Sequence, residues 1–193
     1  YETCRDSALL TTVDTHGQLV EFVKEHTTVF MSHQWLGFKA PDPNNVHYSA
    51  ICDACEDILR RDGITREDLY VWVDYISIPQ ACRYTQQLSI ASLAVYSSLQ
   101  DYFVIIAPDT THVDRNEPCD MKTYGHRGWC RLEQWARLAC FDLEGVLKVE
   151  NGTLVPAYSA DVVEACTLDA LMVMEGNFTV DADKHKLVDT MLG

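Results

Sequence analysis

Short runs of apolar residues alternate with segments of helical periodicity along the first 140 residues. Three of the runs are apolar at nearly every position and predict buried strands, at 27–32, 69–74 and 102–107. Apolar residues at intervals of three and four predict helices, at 18–26, 46–61, 88–99 and 129–141. Polar loops are predicted between them, at 36–45, 76–87 and 108–127. Strands alternating with helices indicate an α/β fold, with a parallel sheet and helices on both faces.

The last third of the chain has a different pattern. Residues 146–149 and 153–155 flank an Asn-Gly pair, which predicts a β-hairpin. A further strand is predicted at 170–174, and Asp181 is expected to cap a last helix over 182–192. We therefore predict one domain over 1–193. Its core lies at about 27–140, and 141–193 forms a C-terminal extension with the hairpin and the terminal helix.

Composition places the chain among ordinary globular domains. It has 193 residues, of which 47% are hydrophobic and 23% charged, enough apolar surface for one core. No apolar run approaches 18 residues and no signal peptide is visible, so we expect a cytoplasmic location and no membrane partner. The first residue is Tyr1 rather than Met, which suggests a piece of a longer protein.

The net charge of −14 argues against a nucleic-acid partner, because a duplex-binding surface needs clustered Lys and Arg. The charges are unevenly spread: residues 54–140 carry 12 acids and 9 bases, whereas 141–193 carry 10 acids and 3 bases. An anionic ligand would therefore meet least repulsion in the middle of the chain.

Several common sites are missing from the sequence. It contains no GxGxxG, no GxxxxGK[ST] and no GxSxG, so a dehydrogenase site, a P-loop and a hydrolase nucleophile elbow are not expected. The seven histidines lack metal-ligand spacing, and the one CxxC, Cys52 to Cys55, fits two core-facing thiols on a helix. We expect no metal and no bound cofactor.

Candidate chemistry lies at the start of the fourth predicted helix. Trp129 and Glu133 are four residues apart and share one helix face, beside an apolar stripe with Leu132 and Trp135. A carboxylate in that place, near the end of a strand, can face a pocket. The alternative is that Glu133 is only a first-turn carboxylate that the helix dipole stabilises, and that Trp129 is a core residue.

Other candidates follow the predicted strands directly. Ligands of parallel sheets bind beyond the carboxyl ends of the strands. The residues at those ends are Ser32, His33, Gln34 and Trp35 after the first strand, and Asp74 and Tyr75 after the second.

Four segments in order resemble a TIR-like domain, closest to the HET (heterokaryon incompatibility) branch of that superfamily. They are FMSHQW (30–35), VWVDYISIPQ (71–80), AVYSSLQDYFVIIAP (94–108) and RGWCRLEQ (127–134). The resemblance covers about residues 27–140 and implies a flavodoxin-like sheet. The chain departs from the family by an insertion at 109–126 and by its last third.

The resemblance implies cleavage of NAD+ at the nicotinamide–ribose bond, with NAD+ as substrate rather than cofactor. Glu133 matches the catalytic glutamate of the family. Around it, Ser32, His33 and Gln34 could reach ribose or phosphate, and Trp35, Tyr75 or Trp129 could stack on a flat ring. Arg131 or Arg127 could face the diphosphate, and Asp74 either contacts substrate or caps its loop.

Two other interpretations stay open. One is a non-catalytic module that self-associates through the loop 75–87, within a larger signalling or innate-immunity protein with fused or partner domains. The other is a nucleoside N-glycosidase or base-exchange enzyme that uses the same glutamate. The presence of Glu133 favours the enzyme over the module.

Overall fold

A five-stranded sheet runs through the centre of the computed structural model, which describes residues 1–141, 145–159, 162, 171–180 and 182–192. Its strands are β1 (Thr27–His33), β2 (Leu69–Trp72), β3 (Tyr102–Ile106), β6 (Val146–Glu150) and β7 (Thr153–Pro156); the separate hairpin consists of β4 (Thr110–His112) and β5 (Glu117–Cys119). The order is β2-β1-β3-β6-β7, with the first four strands parallel and β7 antiparallel at the edge. This is a flavodoxin-like arrangement.

Helices cover both faces of the sheet. They are α1 (Glu2–Asp6), α2 (His16–Glu25), α3 (Val46–Asp62), α4 (Asp74–Ser77), α5 (Arg83–Ala91), α6 (Leu93–Leu99), α7 (Met121–Tyr124), α8 (Gly128–Cys140) and α9 (Asp183–Leu192). One core contains Phe30 of β1 with residues of α6, α8 and α9, and the other contains Val29 and Met31 with residues of α3. The central strands are therefore apolar on both sides, and the predicted α/β class with flanking helices is confirmed.

The predicted hairpin is present, and it belongs to the main sheet. Asn151 and Gly152 both have positive φ, 50° and 74°, as a two-residue hairpin turn of this kind requires. Its first strand, β6, pairs with β3 in parallel. The C-terminal part of the chain thus completes the sheet that the first three strands begin.

The helix predicted over 88–99 is instead two helices, α5 and α6, that meet at Ser92. The Ser92 hydroxyl donates to the Leu88 carbonyl at 3.1 Å, and the Ser89 hydroxyl donates to Thr85 at 3.0 Å. Such back-bonding competes with the helical ladder and bends it. The predicted loop 76–87 also ends early, because α5 begins at Arg83.

Two further predictions need correction. The loop predicted at 108–127 contains the β4–β5 hairpin and α7, which begins with a capping box between Asp120 and Thr123. The strand predicted at 170–174 is wrong for its described residues, 171–174: Val173–Glu175 forms a 3-10 turn, and Met172 has φ 43°. The predicted cap residue, Asp181, lies outside the described residues, whereas the terminal helix is present as α9.

Across the described residues, no helix combines the length and the apolar character needed to cross a bilayer.

Candidate functional site

A cavity of about 770 Å³ opens at the carboxyl ends of β1 and β2, where α8 begins. Its volume is in the range of small-molecule and cofactor sites. Eight predicted site residues line it: His33, Gln34, Trp35, Asp74, Tyr75, Arg127, Trp129 and Glu133. The sheet topology brings these residues together, because parallel strands end at the same edge.

Glu133 is the buried carboxyl group of this cavity. It lies in the second turn of α8 with only 7% of its surface exposed. Its Oε2 accepts a hydrogen bond from the Ser32 hydroxyl, which is in turn 2.6 Å from the hydroxyl of Tyr124. When Glu133 is ionised, Ser32 donates to it and Tyr124 donates to Ser32, so a fully buried chain of two hydroxyls supports one carboxylate.

Burial raises the pKa of Glu133 to about 8, since a carboxylate loses its hydration there. The hydrogen bond from Ser32 opposes this rise, the negative charge of Asp74 adds to it, and His33 opposes it. Glu133 is therefore mostly protonated at pH 7 in the empty site. A pKa close to the working pH is typical of groups that exchange protons or charge during a reaction.

His33 and Asp74 form an ion pair in the wall of the cavity. His33 Nε2 is 2.9 Å from Asp74 Oδ1, and the indole of Trp35 donates to Asp74 Oδ2 at 2.7 Å. Burial disfavours the charged imidazole, but the Asp74 carboxylate outweighs it and raises the pKa of His33. Burial likewise opposes ionisation of Asp74, yet His33 and the Trp35 hydrogen bond lower its pKa. Asp74 is thus a partner of two side chains rather than a loop cap alone.

Behind His33 lies His47, which the sequence did not single out. His33 Nδ1 and His47 Nδ1 are 3.2 Å apart. Burial and the neighbouring His33 lower the pKa of His47 to about 4, so it is neutral at pH 7. Its Nε2 is buried and has no hydrogen-bond partner among the described residues. Both ring nitrogens of His33 are therefore engaged, one with Asp74 and the other with His47. These two contacts fix the position of His33 in the wall of the cavity.

Two of the ten predicted site residues do not line the cavity. Ser32 lies beneath it, where it contacts Glu133. Arg131 is directed to backbone carbonyls: its Nε donates to Gly125 at 2.8 Å and its Nη1 to Met172 at 3.1 Å. Arg127, one helical turn earlier, lines the cavity instead.

The C-terminal part of the chain supplies one wall that the sequence did not predict. Residues 176–179 lie against the first turn of α8, held by hydrogen bonds from Gly128 N to Asn177 O at 3.0 Å and from Asn177 N to His126 O at 2.6 Å. Gly128 and Gly176 permit this approach, because a Cβ on Gly176 would lie 2.3 Å from Gly128 Cα. Trp129 packs edge-on to Phe178, with ring centroids 6.4 Å apart, so it is both a core residue and a wall residue.

In the described part of the chain, no group of three or more His, Cys, Asp or Glu side chains could hold a metal ion. Comparisons of the chain with protein-family models, with curated proteins and with solved structures find no match.

Proposed function

We propose that this chain is a TIR-like NAD+ glycohydrolase or cyclase that cleaves the nicotinamide–ribose bond. The observation that carries the proposal is the buried Glu133 carboxyl group, which accepts a hydrogen bond from Ser32 and lines a cavity of dinucleotide size. The order of the four sequence segments that resemble TIR-like domains agrees with it.

One carboxylate is sufficient for this reaction. Nicotinamide leaves from a cationic ring as a neutral base, so no acid is needed to protonate the leaving group. The ribosyl group is taken up by water, which releases one proton to solvent, or in a cyclase by the adenine ring of the same molecule. The remaining requirement is to stabilise the positive charge that develops on the ribose, which a fixed carboxylate in a dry site does well. Glu133 also can orient the ribose hydroxyls, which are hydrogen-bond donors.

The protonated state of Glu133 in the empty site fits a cationic substrate. The pyridinium ring of NAD+ brings a positive charge next to the carboxyl group, and an opposite charge favours ionisation. Glu133 would then release its proton to solvent as the substrate binds, and Ser32 would donate to the new carboxylate. The aromatic side chains of Trp35, Tyr75 and Trp129 offer flat surfaces for the nicotinamide ring.

The test is nicotinamide release from NAD+ by the purified chain, followed by chromatography over a wide range of protein concentration. We expect release of nicotinamide and formation of ADP-ribose or its cyclic form. Inosine and adenosine are assayed in parallel, because base release from them without NAD+ cleavage would favour the nucleoside N-glycosidase. Absence of release at every concentration would reject the proposal.

The pH dependence of this reaction follows from Glu133. The reactive form is the carboxylate, so kcat/KM for NAD+ should rise about tenfold per pH unit below pH 8 and level off above it. Because the Ser32 hydrogen bond lowers the pKa of Glu133, Ser32→Ala should move the rising limb to higher pH. Initial rates between pH 6 and pH 9.5 measure both effects. A profile that is flat, or that falls over this range, would show that the carboxylate is not the reactive form.

A self-association module is the second candidate, because apolar side chains are exposed in and beside the loop 75–87. Tyr84 is 70% exposed, and Leu88, one turn later on α5, is 52% exposed. Assembly through this surface requires no turnover. An oligomer in sedimentation experiments, together with no nicotinamide release, would favour this candidate over the enzyme.

A further inference from the structure

The cavity that contains Glu133 is lined by four of the 15 Lys and Arg residues and by four carboxylates, Asp74, Glu117, Glu133 and Asp183, so it lacks the excess of acids that gives the chain its net charge of −14. The four basic residues are Arg115, Arg127, Lys184 and Lys186. Lys186 is paired with Asp183 at 2.5 Å, and Arg115 is 4.0 Å from Glu117. Within the described residues, Arg127 and Lys184 have no carboxylate within 4.0 Å. Among the described residues, no carboxylate in ion-pair contact therefore competes with an anion for these two cations.

Arg127 and Lys184 each contact the short segment 178–179. Arg127 donates from Nη2 to the Thr179 hydroxyl at 2.7 Å, and Lys184 Nζ lies 5.8 Å from the centre of the Phe178 ring. This segment is fixed to the start of α8 by the backbone bonds around Asn177. A lysine of the last helix and an arginine 57 positions earlier, which precedes α8, thus contact neighbouring residues of one segment.

The start of α8 adds to the attraction for an anion. Arg127 is its N-cap residue, and no side chain caps this 13-residue helix. The Gly128 amide already donates to Asn177 O, so the positive end of the helix dipole adds to the attraction of Arg127 for an anion only through the remaining amides of the first turn. Glu133 lies six residues further along, about 9 Å on the helix axis. A ribose with its 5′-phosphate can span that separation.

We propose that Arg127 and Lys184 together bind the diphosphate of the substrate, so that the C-terminal extension supplies part of the substrate site. The proposal rests on the proposed function for the identity of the substrate. In this arrangement the nicotinamide ribose lies at Glu133 and the diphosphate lies at the N-terminal end of α8. Lys184 is then a residue that determines substrate specificity.

The charge count also indicates which substrates are excluded. A diphosphate ester carries two negative charges at neutral pH, and the two cations match them. A nucleoside has no phosphate, so it would leave both cations without this partner and would gain none of this attraction. The site should therefore prefer a dinucleotide over a nucleoside that carries the same scissile bond.

Binding of ADP-ribose, measured by calorimetry, tests the proposal without turnover. We expect Lys184→Gln and Arg127→Gln each to weaken binding about tenfold or more, since hydrogen bonds to charged groups are among the strong ones. Arg127→Lys keeps the charge and should retain most of the affinity. Lys24→Gln, on α2 and outside the cavity, is the matched control and should bind like the wild type.

Kinetics provide the second arm of the test. In the two glutamine variants the KM for NAD+ should rise about tenfold, whereas the KM for nicotinamide riboside, which has no phosphate, should not change. Unchanged affinity of both variants for ADP-ribose would overturn the diphosphate site. If the wild type binds ADP-ribose through these residues but releases no nicotinamide, the diphosphate site stands and the proposed reaction fails.

Discussion

Glu133→Gln is expected to reduce nicotinamide release from NAD+ by about 10³-fold, which corresponds to about 4 kcal/mol of transition-state stabilisation. Glutamine has nearly the same shape and can still accept the hydrogen bond from Ser32. It cannot carry the negative charge that opposes the charge developing on the ribose. Glu21→Gln, at an exposed position on α2, is the control and should keep full activity. Initial rates at saturating NAD+ measure the effect.

The same substitution should stabilise the protein in alkaline solution. The folded state raises the pKa of Glu133 from an ordinary value near 4.5 to about 8. A raised pKa contributes stability that is complete below the ordinary value and is lost as pH rises through about 8. Glutamine has no proton to lose, so the variant should exceed the wild type by a few kcal/mol at pH 9 and match it at pH 4, below the ordinary value. Loss of both activity and stability at pH 4 would instead identify Glu133 as a structural residue.

Gly176→Ala should detach the wall formed by residues 176–179. The new methyl group would lie 2.3 Å from Gly128 Cα and 2.7 Å from Gly128 N, and these backbone atoms cannot swing aside as a side chain can. We expect the free energy of unfolding to fall by about 1–3 kcal/mol. Hydrogen exchange should also lose the protection of the Asn177 amide, which bonds to His126 O.

A second glycine provides the control for this experiment. Gly17 lies in the first turn of α2, and a methyl group added there would meet no heavy atom of a neighbouring element within 4 Å. Gly17→Ala should therefore leave stability unchanged or raise it by up to about 1 kcal/mol. If Gly176→Ala melts like the wild type and keeps the Asn177 amide protected, the close contact with Gly128 is not needed for docking.

The central sheet could be predicted from the sequence because its strands are apolar on both faces. Val29, Phe30 and Met31 are successive buried residues, and such runs are typical of central parallel strands. The position of Glu133 could be predicted because two constraints apply to it. Its spacing of four from Trp129 places both residues on one helix face, and that face lies near the end of a strand. The break at Ser92 was not predicted, since the serine hydroxyls that bend the helix leave the apolar periodicity intact.

The remaining site residues depend on contacts between distant segments. Arg127 and Arg131 lie four residues apart at the start of α8, and the sequence alone does not show which of them faces the cavity. The structure shows that Arg131 donates to the carbonyls of Gly125 and Met172 instead. Tyr124 lies in a stretch that resembles a polar loop, and its role depends on Ser32. The charge count by segment did not identify Lys184. This lysine lies in the acidic last third of the chain, and yet it lines the cavity.

The hydrogen bond between Ser32 and Glu133 joins residues 101 positions apart, and the wall at 176–179 forms later still along the chain. At about 5–20 residues per second, a ribosome needs roughly 5–20 s to extend the chain from the first of these residues to the second. The bond between β1 and α8 cannot exist in a shorter nascent chain, whatever its secondary structure. The cavity therefore remains without its carboxyl group and its last wall until most of the chain has been synthesised.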